Sequence, residues 1–112
     1  MLIIPQNRTF LAKISAKRNN EYITLQSGQK FIFCLKRSLT DDTPVIAKDI
    51  TSTNIMADGH SYQLSLSYTE TDITSGYYYY DVTYYTSGGA FAVIPTEECY
   101  ISPATYRRAA ND

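Results

Sequence analysis

The side chains in this sequence best suited to acid–base or nucleophilic chemistry are its one histidine and its two cysteines. A catalytic nucleophile needs a base within hydrogen-bonding reach, which here would be His60 acting on Cys34 or Cys99. His60 directly follows Asp58-Gly59, a strong turn signal, so we expect it on an exposed hairpin. Both cysteines fall inside predicted strands, where a thiol usually packs as a small apolar group. The sequence therefore predicts a protein that is not an enzyme.

The acidic residues in the middle of the chain are the other group that could bind a ligand. Asp41, Asp42 and Asp49 could supply oxygen ligands to Ca²⁺, but their spacing lacks the regular acidic pattern of an EF-hand loop. Thr40 to Pro44 has the composition of a turn, which is the simpler role for the first two aspartates. We expect no metal and no cofactor.

The opening residues MLIIP bear on the cellular compartment. Their apolar run is too short for a secretory signal or a membrane span, so we expect cytoplasmic synthesis and no membrane partner. Cysteines in that compartment are normally reduced, although a bridge between Cys34 and Cys99 stays open as an alternative.

The segments that carry these residues alternate between apolar and polar positions with a period of two. In SYQLSLSY we expect the inward face to carry Tyr62, Leu64, Leu66 and Tyr68. In KFIFCLK the residues Phe31 and Phe33 likewise share the inward face. A helix would scatter these side chains around its circumference. With turn signals between them, we expect strands at 8–15, 21–25, 30–36, 45–50, 61–68, 73–85, 90–95 and 98–102.

The densest aromatic stretch is ITSGYYYYDVTYY, residues 73–85, in a chain with 11 tyrosines. Alternation divides it into two faces. We expect the face with the only aliphatic side chain to point into the core, and it carries Tyr78, Tyr80, Val82 and Tyr84. The opposite face carries Tyr77, Tyr79 and Tyr85. These three are either an interaction surface or cross-strand pairs that only stabilise the sheet.

About eight short strands without a long amphipathic segment predict an all-β fold, a sandwich or a barrel. One pattern favours an immunoglobulin-like β-sandwich of about seven to eight antiparallel strands. Asp72, Gly76, Tyr78 and Tyr80 follow a Leu-rich strand, similar to the Asp-x-Gly-x-Tyr-x-Cys turn into strand F of such domains. The Asp–Gly spacing here is two residues longer, and Tyr80 stands where those domains have the Cys. We expect one sandwich domain over 1–105 and a polar C-terminal tail over 106–112.

The charge balance limits the choice of partners. The formal net charge is −1, and the basic residues near the start and at Arg107 and Arg108 come without an aromatic-rich basic motif. Nucleic-acid binding needs clustered cations on one face, so we expect no nucleic-acid partner.

The region from Gly28 to Thr105 resembles the N-terminal domain of baseplate upper proteins of tailed bacteriophages of Gram-positive hosts. The matching segments, in chain order, are Gly28-Gln29 before Phe31-Ile32-Phe33, Asp41-Asp42-Thr43-Pro44, Leu64 and Leu66, Asp72-Ile73, Gly76 to Asp81, Gly88-Gly89, and Ile101 to Thr105. Gln29 stands where the family has Asp, and the family's long C-terminal part has no counterpart in these residues. The resemblance implies a β-sandwich that serves as a structural module of a virion.

The leading hypothesis is therefore a non-enzymatic structural or assembly protein of a tailed phage or prophage, located in the virion and assembled in the host bacterial cytoplasm. It would contact other tail or baseplate proteins, or further copies of itself, through Tyr77, Tyr79 and Tyr85 or through an exposed strand edge. The alternative is a carbohydrate-binding β-sandwich module whose exposed tyrosines stack on sugar rings. The absence of tryptophan counts against that alternative.

Overall fold

The computed structural model describes residues 1–104, and within them it contains nine β-strands, one short 3₁₀ turn at Ser52–Asn54 and no α-helix. The all-β prediction is confirmed. The strands are β1 (Leu2–Pro5), β2 (Phe10–Ile14), β3 (Lys17–Arg18), β4 (Glu21–Tyr22), β5 (Lys30–Lys36), β6 (Ile46–Ile50), β7 (Tyr62–Leu66), β8 (Gly76–Thr86) and β9 (Gly89–Ser102).

Five strands form the main sheet, in the order β1-β9-β8-β5-β6. Four of them pair antiparallel, but β1 runs parallel to β9, with Leu2 opposite Cys99 and Pro5 opposite Ser102. The prediction of an entirely antiparallel fold is therefore wrong, and the sheet is mixed. The apolar run at the N-terminus was not predicted to be a strand, because its partner lies at the far end of the described chain.

A second layer covers one face of this sheet. It consists of β2 and β7, which pair antiparallel from Phe10 opposite Leu66 to Ile14 opposite Tyr62. The two layers meet through apolar side chains, and the rings of Phe31 and Tyr62 pack edge to face with centroids 5.5 Å apart. The short β3–β4 hairpin forms a separate two-stranded ribbon.

Period-two alternation correctly indicates which face of most strands is buried. Six of the seven residues expected in the core are at most 3% exposed: Phe31, Phe33, Leu64, Leu66, Tyr78 and Val82. Tyr68, also expected to face inward, is 37% exposed, because β7 ends at Leu66 and Tyr68 lies beyond the strand. Tyr80 is only half-buried. Its hydroxyl lies 3.0 Å from Glu97 Oε2 and donates to it, and burial together with this carboxylate raises the pKa of Tyr80 to about 12.

The last two predicted strands are one continuous strand. Residues 90–95 and 98–102 were expected to be separated at Thr96-Glu97, yet β9 runs from Gly89 to Ser102. The pairing with β8 shifts twice between Tyr80 and Thr83, so β9 bulges around Pro95. A proline without an N–H is tolerated at such a bulge, which is why it bends the strand instead of ending it. The predicted tail, 106–112, lies outside the described residues.

Candidate interaction surface

Strand alternation places the three outward tyrosines of β8 on the face of the main sheet that is not covered by β2 and β7. Tyr77 is 61% exposed and Tyr85 is 40% exposed, whereas Tyr79 is half-buried. Tyr77 and Tyr85 are eight residues apart, so roughly 27 Å separates them along the strand. The three tyrosines share a face but do not form one contiguous patch.

Tyr77 belongs instead to an apolar row that crosses three strands. In register it lies opposite Tyr100 of β9, which lies opposite Ile3 of β1. The two tyrosine rings are 5.0 Å apart between centroids, and Ile3 is 56% exposed. We call these three residues the outer row. Of these three residues the sequence indicated only Tyr77, because Tyr100 and Ile3 become its neighbours only through the order of the strands.

Tyr79 occupies a more polar part of the same face. It lies between Lys36 of β5 and Glu98 of β9 in register. Beside it is a small cavity of about 80 Å³, which is also lined by Asp81 and Thr96. An aromatic ring flanked by charged and hydroxyl groups can stack against a polar ligand, whereas the outer row offers an apolar surface.

His60 lies in a turn that its neighbours hold together. Its ring stacks on Tyr22 with centroids 3.9 Å apart, and its Nδ1 lies 3.4 Å from Ser61 Oγ and 3.9 Å from Asp58 Oδ2. In a Ser–His–Asp triad the serine and the carboxylate use different ring nitrogens. Here both approach Nδ1, and Ser61 is fully buried. The resemblance to a triad is therefore one of composition and not of geometry.

Asp58 is the residue that organises this turn. Its Oδ1 accepts the backbone N–H groups of His60 and Ser61, at 3.0 and 2.8 Å, and its Oδ2 lies 3.2 Å from Lys13 Nζ. The Ser61 side chain and these two N–H groups lower the pKa of Asp58 well below its ordinary value. Contacts of this kind stabilise a local backbone conformation.

The two cysteines are free and face opposite sides of the main sheet. Cys34 lies opposite Asp81 on the outer side, and Cys99 lies opposite Tyr78 on the inner side. A disulfide between them would require rebuilding the sheet. Burial raises the pKa of the Cys99 thiol to about 11. The pKa of Cys34 is also raised, mainly by burial and to a smaller extent by the negative charge of Asp81. Neither cysteine therefore has the lowered pKa of a reactive thiol.

The aspartates considered as calcium ligands are dispersed. Asp41 Oδ2 accepts the backbone N–H of Ser38 at 3.1 Å, and Asp49 lies 3.3 Å from Lys30 Nζ. Within residues 1–104 no group of three or more His, Cys, Asp or Glu side chains could hold a metal ion.

Comparison with protein-family models, with curated proteins and with solved structures finds no match to this chain. Across the part of the chain that the structure describes, no helix has the length and apolar character needed to cross a bilayer.

Proposed function

We propose that the fold is an immunoglobulin-like β-sandwich. The order β9-β8-β5-β6 corresponds to the strand order G-F-C-C′ of variable-type domains, and the β2–β7 pair corresponds to B–E in the opposing layer. Tyr78 supports the same assignment. Its hydroxyl donates to the carbonyl oxygen of Thr74 at 2.5 Å, four residues upstream, as in the corner tyrosine near the start of strand F.

We propose that the protein is a non-enzymatic structural component of a tailed phage or prophage, at the tail or baseplate, and that it acts by binding other virion proteins or further copies of itself. The observation that carries the binding role is the outer row, Ile3, Tyr100 and Tyr77. Exposed aromatic and aliphatic side chains side by side are typical of the centre of a protein interface. The resemblance of residues 28–105 to baseplate upper proteins supports the virion assignment.

The position of the outer row at the edge of the sheet also favours a role in protein binding. Ile3 belongs to β1, an edge strand of the main sheet, so a partner covering the row can also pair with the β1 backbone. Such an interface combines burial of apolar area with main-chain hydrogen bonds. Removing the ring of Tyr77 should then weaken binding by about 1 to 2 kcal/mol, which corresponds to a loss of roughly 5-fold to 30-fold in affinity.

Light scattering over a wide range of protein concentration, combined with binding to purified proteins from neighbouring reading frames, tests this role. We expect self-association or binding of a virion protein, weakened by Tyr77→Ser. The matched control is Tyr85→Ser, on the same strand and face but at its other end, which should leave the interaction unchanged. A protein that stays monomeric and binds none of the virion proteins would refute the proposal.

The second candidate function is carbohydrate binding through Tyr79. It is favoured by the small cavity beside this ring, where Lys36, Asp81 and Thr96 offer hydrogen-bonding groups. A glycan array tests it directly. Binding of a defined glycan that is lost in Tyr79→Ala and kept in Tyr77→Ser would support this function over the first, and an array without any hit would eliminate it.

A further inference from the structure

One side of the sandwich is open between two unpaired strand edges. Strand β9 is 14 residues long, but β1 pairs only with its last part, Cys99–Ser102. Within residues 1–104 no strand pairs with Ala90–Glu98 on the side away from β8. On the other layer, β2 pairs with β7 on one side only. Unpaired edges of this kind are templates for a further strand.

The space between these edges is a groove made of two neighbouring cavities. The first, about 190 Å³, is lined by Ala12 and Ile14 of β2, by Ile94 of β9, and by the core residues Phe33, Leu64 and Val82. The second, about 430 Å³, has Ala16 and Ile23 on one wall and Phe91 and Val93 on the other.

The two cavities adjoin one another because Ile14 and Ala16 are two residues apart on one wall and Val93 and Ile94 are consecutive on the other. The β9 wall, Ala90–Ile94, is five residues long. It therefore accommodates roughly 17 Å of extended chain.

The charges at the groove are basic. Lys17 and Arg18 line the second cavity. Lys17 Nζ lies 4.7 Å from the ring centroid of Tyr22, and Arg18 Cζ lies 4.0 Å from that of Phe91. Among the described residues neither cation has a carboxylate within salt-bridge distance, although Lys13 in the first cavity is paired with Asp58. An occupant with acidic side chains would complement this wall.

We infer that the groove between β9 and β2–β3 binds an extended segment of a partner protein in which apolar side chains alternate with acidic ones. The segment pairs with the backbone of Ala90–Ile94 and ends its pairing at Pro95, which has no N–H to donate. Alternate side chains enter the apolar cavities. The intervening acidic side chains lie at the rim of the groove, where the exposed Lys17 and Arg18 attract them without direct pairing. This site is separate from the outer row and does not depend on the proposed virion role.

A blocked seven-residue peptide of alternating valine and glutamate is the probe, with the corresponding valine–lysine peptide as its control. Calorimetric titration of the 112-residue protein should show binding of the glutamate peptide, at least tenfold weaker binding to Arg18→Glu and Lys17→Glu, and no binding of the lysine peptide. Lys36→Glu reverses a charge on the opposite face of the sheet and should change the affinity less than twofold. Amide exchange within Ala90–Ile94 should slow at least tenfold on binding.

Three results would overturn the inference. The first is no binding of the glutamate peptide to wild-type protein whose thermal unfolding is cooperative. The second is equal binding of the glutamate and lysine peptides, which would indicate apolar adhesion without charge selection. The third is a wild-type dimer that both Arg18→Glu and Lys17→Glu dissociate, because a second copy would then fill the groove in place of a different protein.

Discussion

Replacing Tyr62 by Phe should destabilise the protein by about 1 to 3 kcal/mol, although only one oxygen is removed. The Tyr62 side chain is fully buried, and its hydroxyl accepts the backbone N–H of Leu25 at 2.7 Å. Leu25 itself is 4% exposed, so water cannot replace the lost acceptor. The N–H would remain buried without a partner, and its desolvation penalty sets the size of the effect.

Two other tyrosines serve as matched controls, since the same Tyr→Phe change at each should destabilise the protein less than at Tyr62. Tyr84 is 8% exposed and its hydroxyl has no hydrogen-bond partner among the described residues, so Tyr84→Phe should change stability by less than about 0.5 kcal/mol. Tyr78 donates to the carbonyl of Thr74, which belongs to an exposed residue that water can reach. Tyr78→Phe should therefore fall between the other two, at about 1 kcal/mol.

Urea unfolding followed by circular dichroism measures all three variants, and about 4 °C of melting temperature should be lost per kcal/mol in a chain near this size. Amide exchange gives a local check, because the Leu25 N–H should lose more protection in Tyr62→Phe than the global destabilisation explains. Leu25 follows the β3–β4 hairpin, so this contact also holds one wall of the groove. Equal effects of Tyr62→Phe and Tyr84→Phe would refute the assignment of the cost to a buried, unpaired N–H.

Three further predictions concern pH and buried polar contacts. The pKa of Cys99 in the folded protein, about 11, lies above the ordinary 9.0, so the stabilisation that comes from the neutral thiol is complete below pH 9 and is lost as pH rises towards 11. Cys99→Ala should therefore flatten the fall in the urea midpoint between pH 8 and 10. The pKa of Asp58 in the folded protein lies below the ordinary 3.8, so the stability that its carboxylate contributes is present above that pH and is lost on acidification. Asp58→Asn should therefore lower the melting temperature at pH 7 and weaken the dependence of the melting temperature on pH below 4. Thr71 is fully buried, and its Oγ1 both donates to the carbonyl oxygen of Arg8, at 2.6 Å, and accepts the Arg8 N–H, at 3.0 Å. Thr71→Val should therefore lower the free energy of unfolding in urea by about 1 to 3 kcal/mol, and a loss below about 0.5 kcal/mol would contradict this role.

Which face of most strands is buried can be predicted from the sequence alone. The alternation in β5 and β7 depends only on residues two apart, and Phe31, Phe33, Leu64 and Leu66 are in the core as that spacing predicts. The sequence also indicates the turn at Asp58-Gly59, from the turn preference of those two residues alone. Local patterns were sufficient here because a strand's inward face is set by the period of the backbone.

The identity of neighbouring strands, in contrast, follows from long-range pairing that no local pattern predicts. The parallel pairing of β1 with β9 brings Ile3 beside Tyr100 and Tyr77. It leaves the first part of β9 paired with β8 alone, so that the other edge of this part borders the groove. Similarly, Pro95 bends β9 without ending it because a bulge against β8 absorbs it. Strand pairing joins residues almost a hundred positions apart, and a period-two pattern states which side a residue faces but not which strand lies next to it. The core was therefore predictable, whereas the outer row and the groove depend on the strand order.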